Sequence, residues 1–212
     1  MLKLDHLTVI APTLADGVAH VRDCLGIEIP FGTRHLYMGT HNHRLQLGGN
    51  VYLEVVARDP AGVDPGRARW FGVDDPAQVG ADWQDGRRLR GWVASTQDID
   101  AVIATHRAIF GDVVPLPFDA PEFAFAIPAD GSLPLDGAVP SLIDHKNDPT
   151  SMAEIPDLGA RLISFTLEHP TPGAIQALYR EIGIEGLPDI VPGPTLRYRA
   201  RIETPSGVRD LF

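Results

Sequence analysis

The chain has 212 residues, 44% of them hydrophobic, and a formal net charge of −10. That length suits one large domain or two smaller ones built from repeated units, with a core of useful size, and the negative field argues against nucleic acid or an anionic membrane as partner. The single cysteine, Cys24, excludes an intrachain disulfide framework and reads as a buried structural thiol in a reducing, cytoplasmic setting.

The N-terminal MLKLDHLTV lacks the long apolar run of a signal peptide. No stretch approaches the roughly 20 apolar residues that span a bilayer. Nineteen prolines and 21 glycines predict many short elements separated by turns, hence an α+β chain. Residues 2 to 11 alternate as a strand, with Leu7 and Val9 on one face and Leu4, His6 and Thr8 on the other. The period then lengthens: Leu14, Val18, Val21 and Leu25 share one face of a helix, and Gly26 supplies its left-handed stop. Extended pieces follow near 33–39, 42–48 and 51–57, the last two joined by a tight GGN turn at 48–50. The order is β-α-β-β-β.

The same order restarts at RLRGWVAST, residues 88–96. A helix through Ile99, Val102, Ile103, Ile109 and Phe110 ends at Gly111, and strands are predicted near 113–118, 123–128 and 140–145. Between the two copies, residues 58–86 are rich in Pro, Gly and Asp and read as a long surface connection, whose Trp70 and Trp83 could cover a pocket. A third, shorter copy begins at RLISFTLEHP and runs through a helix that stops at Gly183 into LRYRARIETP and VRDLF. This repetition predicts a domain over 1–150 made of two modules, about 1–60 and 88–146, and a third βαββ-like module over 158–212. The unpaired third module is also a candidate dimer contact.

Phase assigns the side chains. Val51, Leu53 and Val55 form the apolar face that a helix covers, so Tyr52, Glu54 and Val56 look to the other side, as does His6. An imidazole and a carboxylate converging in a cleft offer borderline N and hard O donors, suited to a divalent transition metal such as Zn, Mn, Fe, Ni or Co. The same two groups can instead form a buried hydrogen-bonded pair without an ion. On the neighbouring strand Asn42, Arg44 and Gln46 share the face of Glu54, where Asn42 and Arg44 can hold a substrate carbonyl or carboxylate; His43 falls in phase with the leucines and reads as structural. Trp92 either stacks on a substrate or packs the core. A third metal ligand, if there is one, is His145, Asp144 or His43. His20, His35, His106 and His169 have no partner spacing and read as surface or capping residues.

The repeated unit, with LDHLTVIAPTL at 4–14, GTHNHRLQLGGNVYLEVVARDP at 39–60 and LRGWVAST at 89–96, resembles the glyoxalase-like domains of the vicinal oxygen chelate superfamily. The resemblance implies paired modules whose strands form a curved mixed sheet with a central cleft, and a divalent metal held by side chains of the first and fourth strands. It implies a metal-dependent isomerase, lyase or dioxygenase acting on a small oxygenated metabolite, with His6 and Glu54 as ligands, His145 as the candidate third ligand and Glu54 as the proton-transfer group. Tyr52, Asn42, Arg44 and Trp92 would be substrate contacts. Members of the superfamily also include metal-free proteins that only sequester a ligand, so fold leaves activity open. The second module lacks the family's ligands at the matching positions.

Overall fold

The structure is a computed structural model that describes residues 1–146, 150–184, 186 and 188–212. Its main element is an eight-stranded sheet assembled from two units of the same pattern. The first unit comprises β1 (Lys3–Ile10), α1 (Leu14–Leu25), β2 (Phe31–His35), β3 (Thr40–Gln46) and β4 (Tyr52–Arg58). After α2 (Pro76–Gln84), the second comprises β5 (Leu89–Ser95), α3 (Ile99–Phe110), β6 (Asp112–Leu116), β7 (Phe123–Ile127) and β8 (Ser141–Asp144). In each, the first strand pairs in parallel with the fourth, and β1 and β5 join the units antiparallel, giving the order β2-β3-β4-β1-β5-β8-β7-β6. The result is one mixed sheet curled into a half-barrel.

The local signals explain these elements. Thr13 caps α1 by accepting the amide of Asp16, and Gly26 closes it at φ 68°, a conformation that costs a residue with a Cβ. Helix α1 lies on β3 and β4, and α3 on β6, β7 and β8. At Gly17 a Cβ would come within 2.4 Å of a Val55 methyl, so α1 settles directly on the strand that carries Glu54.

The third unit contains α4 (Thr150–Ala153), β9 (Arg161–His169), α5 (Pro172–Ile182), β10 (Asp189–Pro192), β11 (Arg197–Thr204) and β12 (Gly207–Leu211). It repeats the element order but not the pairing: β9 sits inside its sheet between β10 and β11. This sheet meets β5 through β11 on the helix-covered face of the main sheet. Phe165, Leu167, Tyr198, Ala200 and Ile202 merge there with Leu7, Leu53, Trp92 and Ala94 into one core.

Two expectations are corrected. The connection between the modules is not a surface loop throughout: it contains α2, and Trp70, Phe71 and Val73 are buried against Val56, Val93, Phe125, Ile127 and Ile143 in a second apolar cluster on the concave side. Apolar side chains of the connection therefore pack on that face of the sheet. Leu4 does not share a face with His6. The β1–β5 register shifts between Leu4, opposite Ala94, and His6, opposite Val93, which makes Asp5 the extra residue of a bulge. Leu4 therefore packs with the helix-side core.

Candidate functional site

That bulge sets the geometry of the concave side. With Asp5 left unpaired in the ladder, its carboxylate turns beside its own neighbour, and His6 Nδ1 donates to Asp5 Oδ1 at 2.7 Å. On the other side of the ring, His6 Nε2 lies 3.4 Å from Glu54 Oε2. Tyr52, opposite His6 in the β1–β4 pair, stacks on the imidazole with ring centroids 4.3 Å apart. Asn42 donates from Nδ2 to Glu54 Oε1 at 2.7 Å, while its Oδ1 accepts the Thr33 amide at 2.8 Å. Gly32 makes room for this, since a Cβ there would lie 2.2 Å from Asn42 Oδ1.

Burial sharpens the electrostatics. His6, Glu54, Asp5 and Asn42 are all buried, Glu54 with 5% of its surface exposed. Burial disfavours charge on His6, but the hydrogen bonds and charges of Asp5 and Glu54 outweigh it and raise its pKa from 6.5 to about 9. Against the cost of its own burial, contacts with His145 and His6 lower Asp5 to about 2, and His6 and Asn42 lower Glu54. The centre is an imidazolium clamped between two carboxylates. His35, expected at the surface, is instead drawn into the site: it approaches Asn42 Nδ2 at 3.5 Å through Nε2 and bonds Thr40 Oγ1 at 3.0 Å through Nδ1. Burial lowers its pKa to about 4, so it is neutral.

These shifts have opposite signs for stability. Between pH 4 and 6.5 the unfolded chain protonates His35 while the native protein does not, so stability rises with pH. Between 6.5 and 9 the native protein retains the His6 proton that the unfolded chain loses, so stability falls. Each limb amounts to on the order of 3 kcal/mol. Urea unfolding across this range is expected to give a maximum near pH 6.5; a free energy flat from pH 6.5 to 9 would contradict the clamp.

The other sequence-predicted residues are distributed unequally. Arg44 is cross-strand from Glu54 on the same face. His145, 24% exposed, reaches Asp5 rather than Glu54: its Nε2 donates to Asp5 Oδ2 at 2.9 Å. Both His145 and Asp5 line a cavity of about 830 Å³ at the end of the sheet, together with Lys3, Asn50, Gln97 and Asp98. Asp144 is spent on the amides of Ile99 and Lys146, and His43 on the carbonyl of Ile29. Trp92 is not brought to the cleft. It pairs with Leu7, not His6, and its indole packs on Phe165 and Tyr179 under the third unit.

The fit of a metal can be judged from the donors. Two donors on one ion can stand 3.4 Å apart, and the Asp5 contact to Nδ1 matches the outer support of a ligating imidazole. A catalytic transition-metal site, however, takes three protein ligands. Among the described residues no group of three His, Cys, Asp or Glu side chains could hold an ion, and the second module faces the pair with Val93, Gly91 and Ile143. The donor set does not complete such a centre.

No helix among the described residues is long and apolar enough to cross a membrane. The family model described as a glyoxalase-like domain matches residues 4–183. No protein of curated function matches the chain. Among solved structures, a hypothetical protein from Staphylococcus aureus is similar, with a TM-score of 0.58 at 13% identity, over 93% of this chain and 88% of that one. Two methylmalonyl-CoA epimerases overlap less. The Streptomyces coelicolor enzyme, a variant in complex with 2-nitronate-propionyl-CoA, gives 0.40 at 19% identity over 69% and 97%. The Mycobacterium tuberculosis enzyme gives 0.38 at 17% over 66% and 86%.

Proposed function

Since the chain belongs to the glyoxalase-like domain family of the vicinal oxygen chelate superfamily, we propose that its cleft carries out proton transfer at a carbon next to a carbonyl, an isomerase-type reaction on a small oxygenated metabolite that needs no metal. Glu54 is the base and His6 its acid partner. The observation that carries this reading is a buried carboxylate held ionised between His6 and Asn42. Such a group is ready to accept a proton without first losing one. His6 Nε2 presents the opposite capability 3.4 Å away, so base and acid stand on the same side of a bound molecule. Asp5 fixes the imidazole through Nδ1 and keeps it charged.

A weakly basic carboxylate removes a carbon-bound proton only if the resulting enolate oxygen is stabilised as charge develops. The Arg44 cation and the dry apolar wall of Val93, Phe125 and Trp70 support that requirement, because low polarity strengthens every charge interaction inside it. The incomplete donor set supports the metal-free form.

A panel of hydroxycarbonyl and dicarbonyl compounds incubated with the protein in deuterium oxide tests the reading, with carbon-bound proton exchange followed by NMR. Exchange above the buffer rate is expected for at least one class, undiminished by a chelator. Exchange that disappears with chelator and returns with a transition metal would assign the step to a metal instead, and no exchange in any class would favour a binding protein.

A further inference from the structure

Arg44, Glu54, Thr8 and Gly91 form one row across four strands. Arg44 is opposite Glu54 in the β3–β4 ladder, Glu54 is beside Thr8 in the β4–β1 ladder, and Thr8 is opposite Gly91 in the β1–β5 ladder. Paired residues in a sheet project to the same side, so all four face the concave side.

Within this row only Glu54 is satisfied, by His6 and Asn42. Thr8 is completely buried, yet its hydroxyl has no hydrogen-bond partner among the described residues. The Arg44 Nε is likewise buried without a partner, as are those of Arg69, Arg87 and Arg90. No carboxylate lies within ion-pair distance of Arg44 among the described residues, whereas the buried Arg69, Arg87 and Arg90 each hold an aspartate. Buried polar groups are rarely left unmatched unless something else completes them. At the Thr8 end Gly91 leaves room for one more atom beneath Leu133, since a Cβ there would meet only a Leu133 methyl at an ordinary contact distance of 3.5 Å.

We propose that this row is an oxyanion-binding track for an oxo-carboxylic acid. The substrate carboxylate pairs with the Arg44 guanidinium, its carbonyl oxygen accepts from the Thr8 hydroxyl, and the intervening carbon–hydrogen bond lies over Glu54. Neighbouring strands are about 4.8 Å apart, so Arg44 and Thr8 stand two strand spacings from each other with Glu54 between them. A ligand that satisfies both therefore needs two separated oxygen functions. Its apolar remainder lies against Val93, Phe125 and Trp70. A guanidinium holds the two oxygens of a carboxylate together, which an ester does not offer.

The inference names the substrate class of the proposed reaction and rests on that reading for the role of Glu54, but it is tested by binding alone. Isothermal titration of the full chain with benzoylpropionate, its methyl ester and phenylbutyrate separates the two contacts, because the ester lacks the carboxylate charge and phenylbutyrate lacks the oxo group. The wild-type protein is expected to prefer benzoylpropionate to the ester by about ten-fold or more, and to phenylbutyrate by about five-fold. Arg44→Gln removes the first preference and keeps the second. Thr8→Val removes the second and keeps the first, and Thr8→Ser retains both, which distinguishes loss of the hydroxyl from a packing defect.

Equal binding of acid and ester, no binding of any of the three, or an acid preference that survives Arg44→Gln would overturn the proposal. If these preferences hold while no carbon acid exchanges its proton, the track stands and the base reading fails. If exchange occurs without them, the base reading stands and the track fails.

Discussion

Glu54→Gln is expected to lower proton exchange by about 100- to 10,000-fold, the range that a positioned general base contributes. The amide keeps the shape of the carboxylate and can still accept from Asn42 through one oxygen. What it loses is the negative charge facing His6 Nε2, so the base disappears and one of the two supports of the imidazolium goes with it. The same variant therefore has a second signature. Burial disfavours charge on His6, and Glu54 is one of the two groups that overcome this, so the His6 pKa falls from about 9 toward its ordinary value and the alkaline stability limb shifts down. Imidazole resonances followed by NMR through a pH titration read this directly. A variant with unchanged exchange, or with His6 still titrating near 9, would remove Glu54 from the proposed centre.

Trp92→Ala is expected to be the most damaging single truncation for stability. Trp92 is 1% exposed and stands where the junction of the two main-sheet modules meets the third unit. Its indole packs edge-on against Phe165 and donates from Nε1 to the Tyr179 hydroxyl at 3.4 Å. That hydroxyl donates onward to the Ala138 carbonyl at 2.8 Å, and Tyr198 donates to the Gly137 carbonyl at 2.7 Å. Removing the ring leaves a cavity under both the aromatic stack and these hydrogen bonds, at a cost of about 3–5 kcal/mol. A protein of this size then melts on the order of 10 °C lower. Trp92→Phe keeps much of the packing and loses the indole donor and part of the ring volume, a smaller cost of about 1–2 kcal/mol. Calorimetric unfolding of the two variants distinguishes this anchor from a substrate contact, because a residue lining an open cleft would tolerate alanine with a far smaller loss.

Much of the architecture is legible in residue order because it depends on local rules. Strict alternation in Tyr52–Val56 places Glu54 on the side away from Leu53 and Val55, and the same alternation sends His6 away from Leu7 and Val9. Helix ends at Gly26 and Gly183 follow from the left-handed conformation that glycine tolerates, and that at Gly111 from a positive φ of 81°. The pairing of Arg44 with Glu54 follows from the short turn between β3 and β4, which fixes the register of that hairpin.

Other parts of the site have no local signature. Asp5 enters because the β1–β5 ladder slips by one residue, and alternation in β1 alone assigns it to the wrong side. His35 enters because the β2–β3 connection turns its end of β2 onto Thr40 and Asn42.

The sequence by itself determined the repeated β-α-β-β-β order, the helix stops and the face on which His6 and Glu54 lie, because each follows from the period of a single segment or from the backbone freedom of one glycine. Only the tertiary structure decided that Asp5 clamps His6 and bonds His145, that Trp70 packs on the concave side, and that Trp92 anchors the third unit. Those outcomes depend on register between strands distant in the chain and on what covers each sheet face. The free energy of a bulge or a buried ring lies in its neighbours, not in its own segment.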